Sequence, residues 1–288
     1  MSTLHKIVPR EVFSALICIV LIAGCASFEK ESNSKPMPEI RSGILQGYLP
    51  TEALPNSLAL LPPPPAEGST ALALDRDVSQ NSLTLRGTPR WDLAAEDANL
   101  KFPQAAGTFS CALNALVSEQ DTPHLYTLLK RTLEDALLAT NMAKNHYMRP
   151  RPFLVNKEPT CTPDWENSMI KSGSYPSGHT ATGWAWALIL SEIAPEQADA
   201  ILSRGRAYGQ SRVICNAHWQ SDVIEGRTVG AAAVARLHSD PEFRAAIEAA
   251  KSELATVRAK GIQPQRDCDA EAKALSMYPP SAPWPANK

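Results

Sequence analysis

This chain has no large excess of charge of either sign. Its 288 residues include 28 lysines and arginines and 30 aspartates and glutamates, which gives a net charge of −2. This balance gives no reason to expect a nucleic acid or an acidic membrane surface as a partner. With 44% hydrophobic and 20% charged residues, the composition is that of a globular protein with a hydrophobic core.

Strand-like alternation and internal repeats are also scarce, and helical spacing takes their place from about residue 90. Thr122 and Pro123 form a cap and first-turn pair for a helix of this kind. That helix should end near Arg149, because Pro150 and Pro152 cannot continue it.

Three further helices are predicted downstream. One should begin at Ser177 and lie at the centre of the fold, because its sequence is apolar on all sides. Another should begin at about Ala217. Ser239 and Glu242 predict a capping box for a last helix that ends near Gly261. We therefore expect an all-α protein with a single compact helical-bundle domain.

The N-terminus has the pattern of an export signal. Lys6 and Arg10 precede the apolar run Val12–Ala23, which is short for a membrane span. Residues 21–25 resemble the lipobox of bacterial lipoproteins, in which the cysteine, here Cys25, carries the lipid. The alternative is ordinary cleavage nearby with Cys25 incidental. We expect export to the periplasmic side of the bacterial envelope, with a lipid anchor in the outer membrane.

The remaining chain divides into three parts by composition. After a signal peptide over residues 1–24, residues 25–70 are predicted to form a lipid-anchored tether that includes the proline run Pro62–Pro65. Residues 71–262 carry the helical pattern and should form the catalytic domain. Residues 263–288 are expected to be a proline-rich tail.

Three separate segments supply the residues of a phosphoryl-transfer site. We call them the motif segments: Lys144 with Arg151-Pro152, then Pro176-Ser177-Gly178-His179, then Ser211-Arg212 with His218 and Asp222. Together they bring cations, a glycine-bearing turn and two imidazoles, one of them close in sequence to a carboxylate. An oxyanion, an incoming nucleophile and a leaving group that needs a proton require this set of groups.

The cations and the helix start are predicted to bind phosphate. Lys144 and Arg151 flank a helix end and could converge on one anion, and the planar guanidinium of Arg212 suits phosphate oxygens. Ser177 and Gly178 stand at a helix N-terminus, where backbone N–H groups and the helix dipole favour an anion.

The second imidazole is predicted to work with a carboxylate. His218 and Asp222 are four residues apart and would share a helix face, where the carboxylate can fix the tautomer of the imidazole. Arg212 and His218 would point to different faces of one continuous helix. The helix should therefore break between them, at Cys215 or Asn216.

The motif segments resemble the signature of the type 2 phosphatidic acid phosphatase superfamily, which also contains the vanadium-dependent haloperoxidases. Within it the chain is most similar to the class A bacterial nonspecific acid phosphatases, over roughly residues 60–260. The resemblance implies that His218 attacks phosphorus and forms a phosphohistidine, while His179 protonates the leaving group and later activates water. It implies a metal-independent phosphomonoesterase without a cofactor, inhibited by vanadate.

Four cysteines would remain after removal of the signal and lipidation of Cys25: Cys111, Cys161, Cys215 and Cys268. None has the C-x2-C spacing of a zinc site, and three disulfide pairings are open by sequence alone. The resemblance favours Cys161 with Cys215, which leaves Cys111 with Cys268.

Three other functions use parts of the same pattern. They are a vanadium-dependent haloperoxidase, a lipid or pyrophosphate phosphatase, and a lipid-anchored phosphate-binding protein that does no catalysis. Two imidazoles, one with an orienting carboxylate, are more than binding requires. The expected partners are small phosphomonoesters, with no nucleic acid, and the resemblance suggests a homo-oligomer.

Overall fold

Helices make up nearly all of the regular structure in this computed structural model, which describes residues 39–41 and 44–278. The α-helices of the described residues are α1 (Ser57–Leu60), α2 (Thr70–Ser82), α3 (Pro89–Glu96), α4 (Ser110–Leu113), α5 (Pro123–Ala139), α6 (Asn141–Tyr147), α7 (Pro152–Asn156), α8 (Glu166–Met169), α9 (Gly178–Ile193), α10 (Ala198–Ile214), α11 (Gln220–Leu237), α12 (Pro241–Ala259) and α13 (Cys268–Met277). A short antiparallel ribbon joins β1 (Glu39–Arg41) to β2 (Ile44–Leu45). The predicted all-α fold is confirmed.

Helix α9 lies at the centre of the bundle and packs against α5, α10 and α11. Its large side chains, such as Trp186 and Leu190, are fully buried, and each stabilises the fold by roughly 1.5–3 kcal/mol. The Trp186 indole donates to the carbonyl of Leu129 at 3.0 Å, so its one polar atom is satisfied. None of the helices described here is both long enough and apolar enough to cross a membrane.

Glycines allow neighbouring helices to approach α9 closely. A Cβ at Gly230 of α11 would lie 2.4 Å from the carbonyl oxygen of Ala181, and one at Gly183 would lie 2.1 Å from the ring of Tyr208. Either contact is far inside van der Waals distance. The small residues of the sequence therefore fix how near α10 and α11 stand to α9, and α9 carries one of the motif segments.

Two helix predictions need correction. The helix that starts at Pro123 ends at Ala139, and α6 begins after a break at Thr140, whose hydroxyl donates to the Leu137 carbonyl at 2.7 Å. Thr140 has this local partner because its hydroxyl can compete for backbone acceptors. The N-terminal half of the predicted helix is confirmed, but its continuity to Arg149 is wrong.

The predicted capping box of the last helix is also wrong. Asp240, rather than Ser239, is the N-cap of α12, and its carboxylate accepts from the amide of Phe243 at 2.8 Å. Pro241 then occupies the first helical position, where its fixed φ angle fits. Glu242 instead forms an ion pair with Arg131 on α5.

Residues that were predicted to lie in the tether and in the tail pack against the helical bundle. Ser57 is buried and accepts from the amide of Ala143, and the Tyr175 hydroxyl donates to the carbonyl of Pro62 at 2.7 Å. At the other end, residues expected in the tail form α13, which packs on α3. Packing against the bundle therefore extends at least over residues 48–278. The predicted signal peptide and Cys25 lie outside the described residues.

The two cysteine pairs of the structure match the expected ones. Cys111 is bonded to Cys268, and Cys161 to Cys215, with Cα–Cα distances of 5.4 and 4.7 Å. The first bond ties α13 to α4 across 157 residues of chain. The second holds the loop between α10 and α11, which carries His218 of the third motif segment.

Candidate active site

Lys144 lies in the last turn of α6 and points at the start of α9. Its ammonium donates to the carbonyls of Gly173 and Pro176 at 3.0 and 2.9 Å. Burial, and next the repulsion of Arg151, lower the pKa of Lys144 to about 7. The side chain is therefore a cation in acidic solution and loses this charge as the pH rises through about 7.

Arg151 is the residue just before α7, and it reaches across the site to the third motif segment. It is 5% exposed and donates to the carbonyls of Met169 and Ala217, each at 3.0 Å. One of its terminal nitrogens lies 3.0 Å from Nε2 of His218. The first and third motif segments thus meet in space, although 67 residues separate them.

Arg212 is the third cation of the site, and its hydrogen bonding differs from that of Lys144 and Arg151. It lies in the last turn of α10 and is 1% exposed, yet its Nε and one terminal nitrogen have no hydrogen-bond partner among the described residues. By contrast, the buried Arg149 and Arg204 are each paired with a carboxylate. A buried guanidinium with unsatisfied donors is costly unless an anion binds it.

A left-handed residue separates α10 from α11. Asn216 has a φ of 59°, and the amides of Ala217 and His218 both donate to the carbonyl of Arg212 at 3.1 Å. The predicted break between Arg212 and His218 is confirmed. His218, however, precedes α11 and does not share a helix face with Asp222, so the geometric reason given for their pairing was wrong.

His218 and Asp222 nevertheless meet. Nδ1 of His218 lies 3.4 Å from Oδ2 of Asp222 and 3.4 Å from the Ser174 hydroxyl. On the other side of the ring, the guanidinium of Arg151 can only donate, so Nε2 must accept and the proton lies on Nδ1. The lone pair of Nε2 therefore faces the cations.

Burial, and next the charges of Arg151 and Lys144, lower the pKa of His218 well below its ordinary value. Its imidazole is therefore neutral in the free protein even in mildly acidic solution. A neutral ring with its lone pair directed at the cations is suited to attack on an electrophile that the cations bind.

Asp222 is held by more partners than the sequence suggested. Its Oδ1 accepts from Arg149 at 2.7 Å, and its Oδ2 accepts from Ser174 at 2.5 Å and from the amide of Trp219 at 2.8 Å. Arg149 lies between two motif residues and Ser174 just before the second segment. Nothing in the sequence around Arg149 or Ser174 distinguishes it from an ordinary surface residue.

His179 lies in the first turn of α9, after the cap formed by Ser177. Ser177 Oγ accepts from the amide of Thr180, as predicted for a capped helix start. Nε2 of His179 lies 3.0 Å from the carbonyl oxygen of Ala98, so this nitrogen carries the proton and Nδ1 is left for proton exchange. Burial, and next the charge of Arg212, lower the pKa of His179 well below its ordinary value.

The carbonyl of Ala98 is held in place by its neighbour. Asp97 accepts from Arg204 and from the Ser211 hydroxyl, at 2.5 and 2.6 Å. This buried pair links the segment after α3 to α10. The sequence could not predict the contact between His179 and Ala98, because every residue type has the same backbone carbonyl.

The motif segments therefore form one site at the N-terminus of α9. Within the described residues, no group of three or more histidine, cysteine, aspartate or glutamate side chains is placed to hold a metal ion. Cations of the site lie close enough to the imidazoles of His179 and His218 to add to burial in lowering their pKa values, and His179 is in the first turn of α9. Such an arrangement can bind an oxyanion and transfer protons beside it.

Comparison with known proteins agrees with this geometry. The sequence pattern of the PAP2 superfamily matches residues 125–245, which include every motif segment. A non-specific acid phosphatase from Providencia stuartii is 48% identical over 212 residues, 73% of this chain and 86% of that protein. One from Salmonella typhimurium is 44% identical over 208 residues, 72% of this chain and 83% of that protein.

A third relative, an acid phosphatase from Zymomonas mobilis, is 40% identical over 207 residues, 72% of this chain and 78% of that protein. These similarities cover most of both chains, and the site has the groups that phosphoryl transfer requires. The chain belongs to the PAP2 superfamily, among the bacterial non-specific acid phosphatases.

Proposed function

We propose that this protein hydrolyses phosphate monoesters of many kinds without a metal ion, through a phosphohistidine on His218. The observation that carries the proposal is the buried guanidinium of Arg212, whose Nε and one terminal nitrogen lack partners among the described residues. A phosphoryl group offers several charged oxygens to those donors. Since the cations bind only the phosphoryl end of a substrate, they place little restriction on the rest of it.

Binding would bring the cations onto the equatorial oxygens of the phosphoryl group. Arg212 supplies donors that are already free, and Arg151 would exchange its contact with Nε2 of His218 for a phosphate oxygen. Lys144 and the first turn of α9 would add charge and dipole from a second side. Bound phosphate also offsets the repulsion of Arg212 and Arg151, which raises the proton affinity of His179.

The first chemical step would be attack of the Nε2 lone pair of His218 on phosphorus. A P–N bond forms as the P–O bond to the leaving group breaks, and His179, which has taken up a second proton on Nδ1 in the complex with substrate, gives that proton to the departing oxygen. The carboxylate of Asp222, whose Oδ2 lies 3.4 Å from Nδ1, stabilises the positive charge that develops on the ring. In the second step water attacks phosphorus, His179 takes a proton from it, the P–N bond breaks and phosphate leaves.

Haloperoxidase and lipid phosphatase activities remain alternatives for the same residues. The named relatives are acid phosphatases that align with more than two thirds of this chain, which favours monoester hydrolysis. An assay with halide, peroxide and vanadate separates the first alternative, and a phosphatidate substrate in detergent separates the second.

Hydrolysis of an aryl phosphate should proceed at full rate in EDTA, and vanadate should inhibit it competitively. In Arg212→Met, vanadate inhibition should weaken by about 10–100-fold, because hydrogen bonds from a charged donor are lost. Arg76→Met, which removes an exposed arginine from α2, is the matched control and should leave inhibition unchanged. Loss of activity in EDTA that a divalent ion restores would contradict the metal-independent mechanism.

We also propose that Cys25 carries a lipid and anchors the mature protein to the outer membrane. The support is the sequence of residues 21–25 after a basic and apolar leader. Intact-mass measurement of the native protein should show a chain that begins at Cys25 with added acyl mass. A mature N-terminus at any other residue contradicts the proposal.

A further inference from the structure

Two buried charged residues outside the motif positions stand behind the carboxylate of Asp222. Arg149 donates through one terminal nitrogen to Asp222 Oδ1 and through the other to Asp75 Oδ2, each at 2.7 Å. The side chains of Asp75, Arg149 and Asp222 are 3%, 8% and 0% exposed. Charges of alternating sign thus run from α2 to the imidazole of His218.

Asp75 also holds the start of α11. Its Oδ1 accepts from the amide of Ser221 at 2.8 Å, and its Oδ2 accepts from the Ser221 hydroxyl at 2.5 Å. The same hydroxyl accepts from Arg149 at 2.7 Å. The residue next to Asp222 is therefore fixed by the same pair, so the pair determines where the carboxylate stands.

Because of these contacts, Asp222 interacts only weakly with His218. Its Oδ1 is taken by Arg149, while Nδ1 of His218 lies 3.4 Å from Oδ2. A full positive charge beside a carboxylate reduces the negative potential that the carboxylate exerts on its other neighbours. A negative charge at Asp75 in turn reduces the effect of Arg149.

We propose that Asp75 and Arg149 are positioning residues that hold Asp222 and set how readily His218 takes up a proton. The inference rests on the proposed function, in which neutral His218 is the nucleophile. Two substitutions should therefore shift the pKa of His218 in opposite directions. Removal of the charge of Arg149 exposes His218 to the full charge of Asp222, whereas removal of the charge of Asp75 leaves Arg149 uncompensated.

The direction in which each substitution shifts the acid limb follows from the proposal that the neutral form of His218 is the active one. With Arg149 neutralised, the imidazolium is stabilised, the pKa of His218 rises and activity is lost at a higher pH on the acid side. With Asp75 neutralised, the imidazolium is disfavoured, the pKa falls and activity extends to lower pH. A role in packing alone would lower activity in both variants without opposite shifts.

Other charged groups act on His218 from the surrounding elements, and the variants leave them in place. These groups are Lys144 on α6, Arg151 before α7, His179 on α9, Arg212 on α10 and Asp222 on α11. Because they are common to all variants, they set the position of the wild-type acid limb and cancel in a difference between variants.

The test is the pH profile of kcat/KM for an aryl phosphate in Arg149→Met and Asp75→Asn. We expect the acid limb to move up in the first and down in the second, each by on the order of 1 pH unit. Arg149→Lys keeps the charge but loses the paired contact, so its limb should stay near the wild-type value while kcat falls. Arg76→Met, on the same helix as Asp75 but exposed, should change neither limb nor kcat.

NMR titration of the His218 imidazole, with circular dichroism as a check on folding, gives the same shifts without an activity assay. If Arg149→Met does not fold, the downward shift in Asp75→Asn and the unmoved limb in Arg149→Lys decide the case. Shifts in the same direction, or none, in folded variants overturn this inference while wild-type activity stands. Absence of hydrolysis by the wild type overturns the proposed function instead.

Discussion

Replacement of His218 by alanine is expected to lower the hydrolysis of every phosphomonoester by about 10⁴-fold or more, because the only proposed acceptor of the phosphoryl group is removed. Phosphate binding should persist, since Arg151 and Arg212 remain. Vanadate affinity in His218→Ala, measured beside the steady-state rate, separates loss of chemistry from loss of the site.

His124→Ala is the matched control for this substitution. His124 is exposed in the first turn of α5, so its removal should leave the rate unchanged. A His218→Ala protein that folds, binds vanadate and retains more than about 1% of wild-type activity would contradict the role of His218 as nucleophile.

Replacement of His179 by alanine is expected to have an effect that depends on the leaving group. With an alkyl phosphate, whose alkoxide needs a proton, the rate of the first step should fall by about 10²–10⁴-fold. With an activated aryl phosphate, whose leaving group needs little protonation, the fall should be about tenfold or less. Rates of phosphoenzyme formation for a series of leaving groups give the comparison directly.

The wild type and His124→Ala should show a shallow dependence of rate on leaving-group pKa, and His179→Ala a steep one. Equal losses on alkyl and aryl substrates in His179→Ala would mean that His179 serves another purpose, such as holding the segment at Ala98 through its 3.0 Å contact.

Residue order and spacing were sufficient to predict the central features of the fold. Helix α9 is apolar all round, and only the middle of a bundle accommodates such a helix. The break between α10 and α11 followed from the need to direct Arg212 and His218 at one point. The motif segments could be predicted to meet in space because phosphoryl transfer constrains the types of their residues and the spacings between them.

The predicted helix ends were wrong where two local sequence signals competed. Ser239 and Asp240 are both good caps, and the proline at position 241 selected the second. Thr140 ended a helix whose apolar spacing continued beyond it. A proline run is typical of an extended tether, but here Pro62 provides a backbone acceptor for the buried Tyr175, so the packed region begins earlier than the sequence predicts.

The supporting contacts of the two histidines could not be predicted from one sequence. The Ala98 carbonyl belongs to the backbone, which is the same at every residue. Asp75 lies 74 residues before Arg149, in an amphipathic helix where an aspartate is ordinarily exposed. Only the packing of α2 against α11 shows that this carboxylate is buried.

The central claim is that a phosphoryl group passes through Nε2 of His218. Rapid quenching of the enzyme with a ³²P-labelled aryl phosphate, followed by peptide mapping, measures this directly. We predict an acid-labile, base-stable phosphoenzyme on the peptide that contains His218, present in wild type and in His179→Ala and absent in His218→Ala. Label on another residue, or label that persists in His218→Ala, would contradict the mechanism.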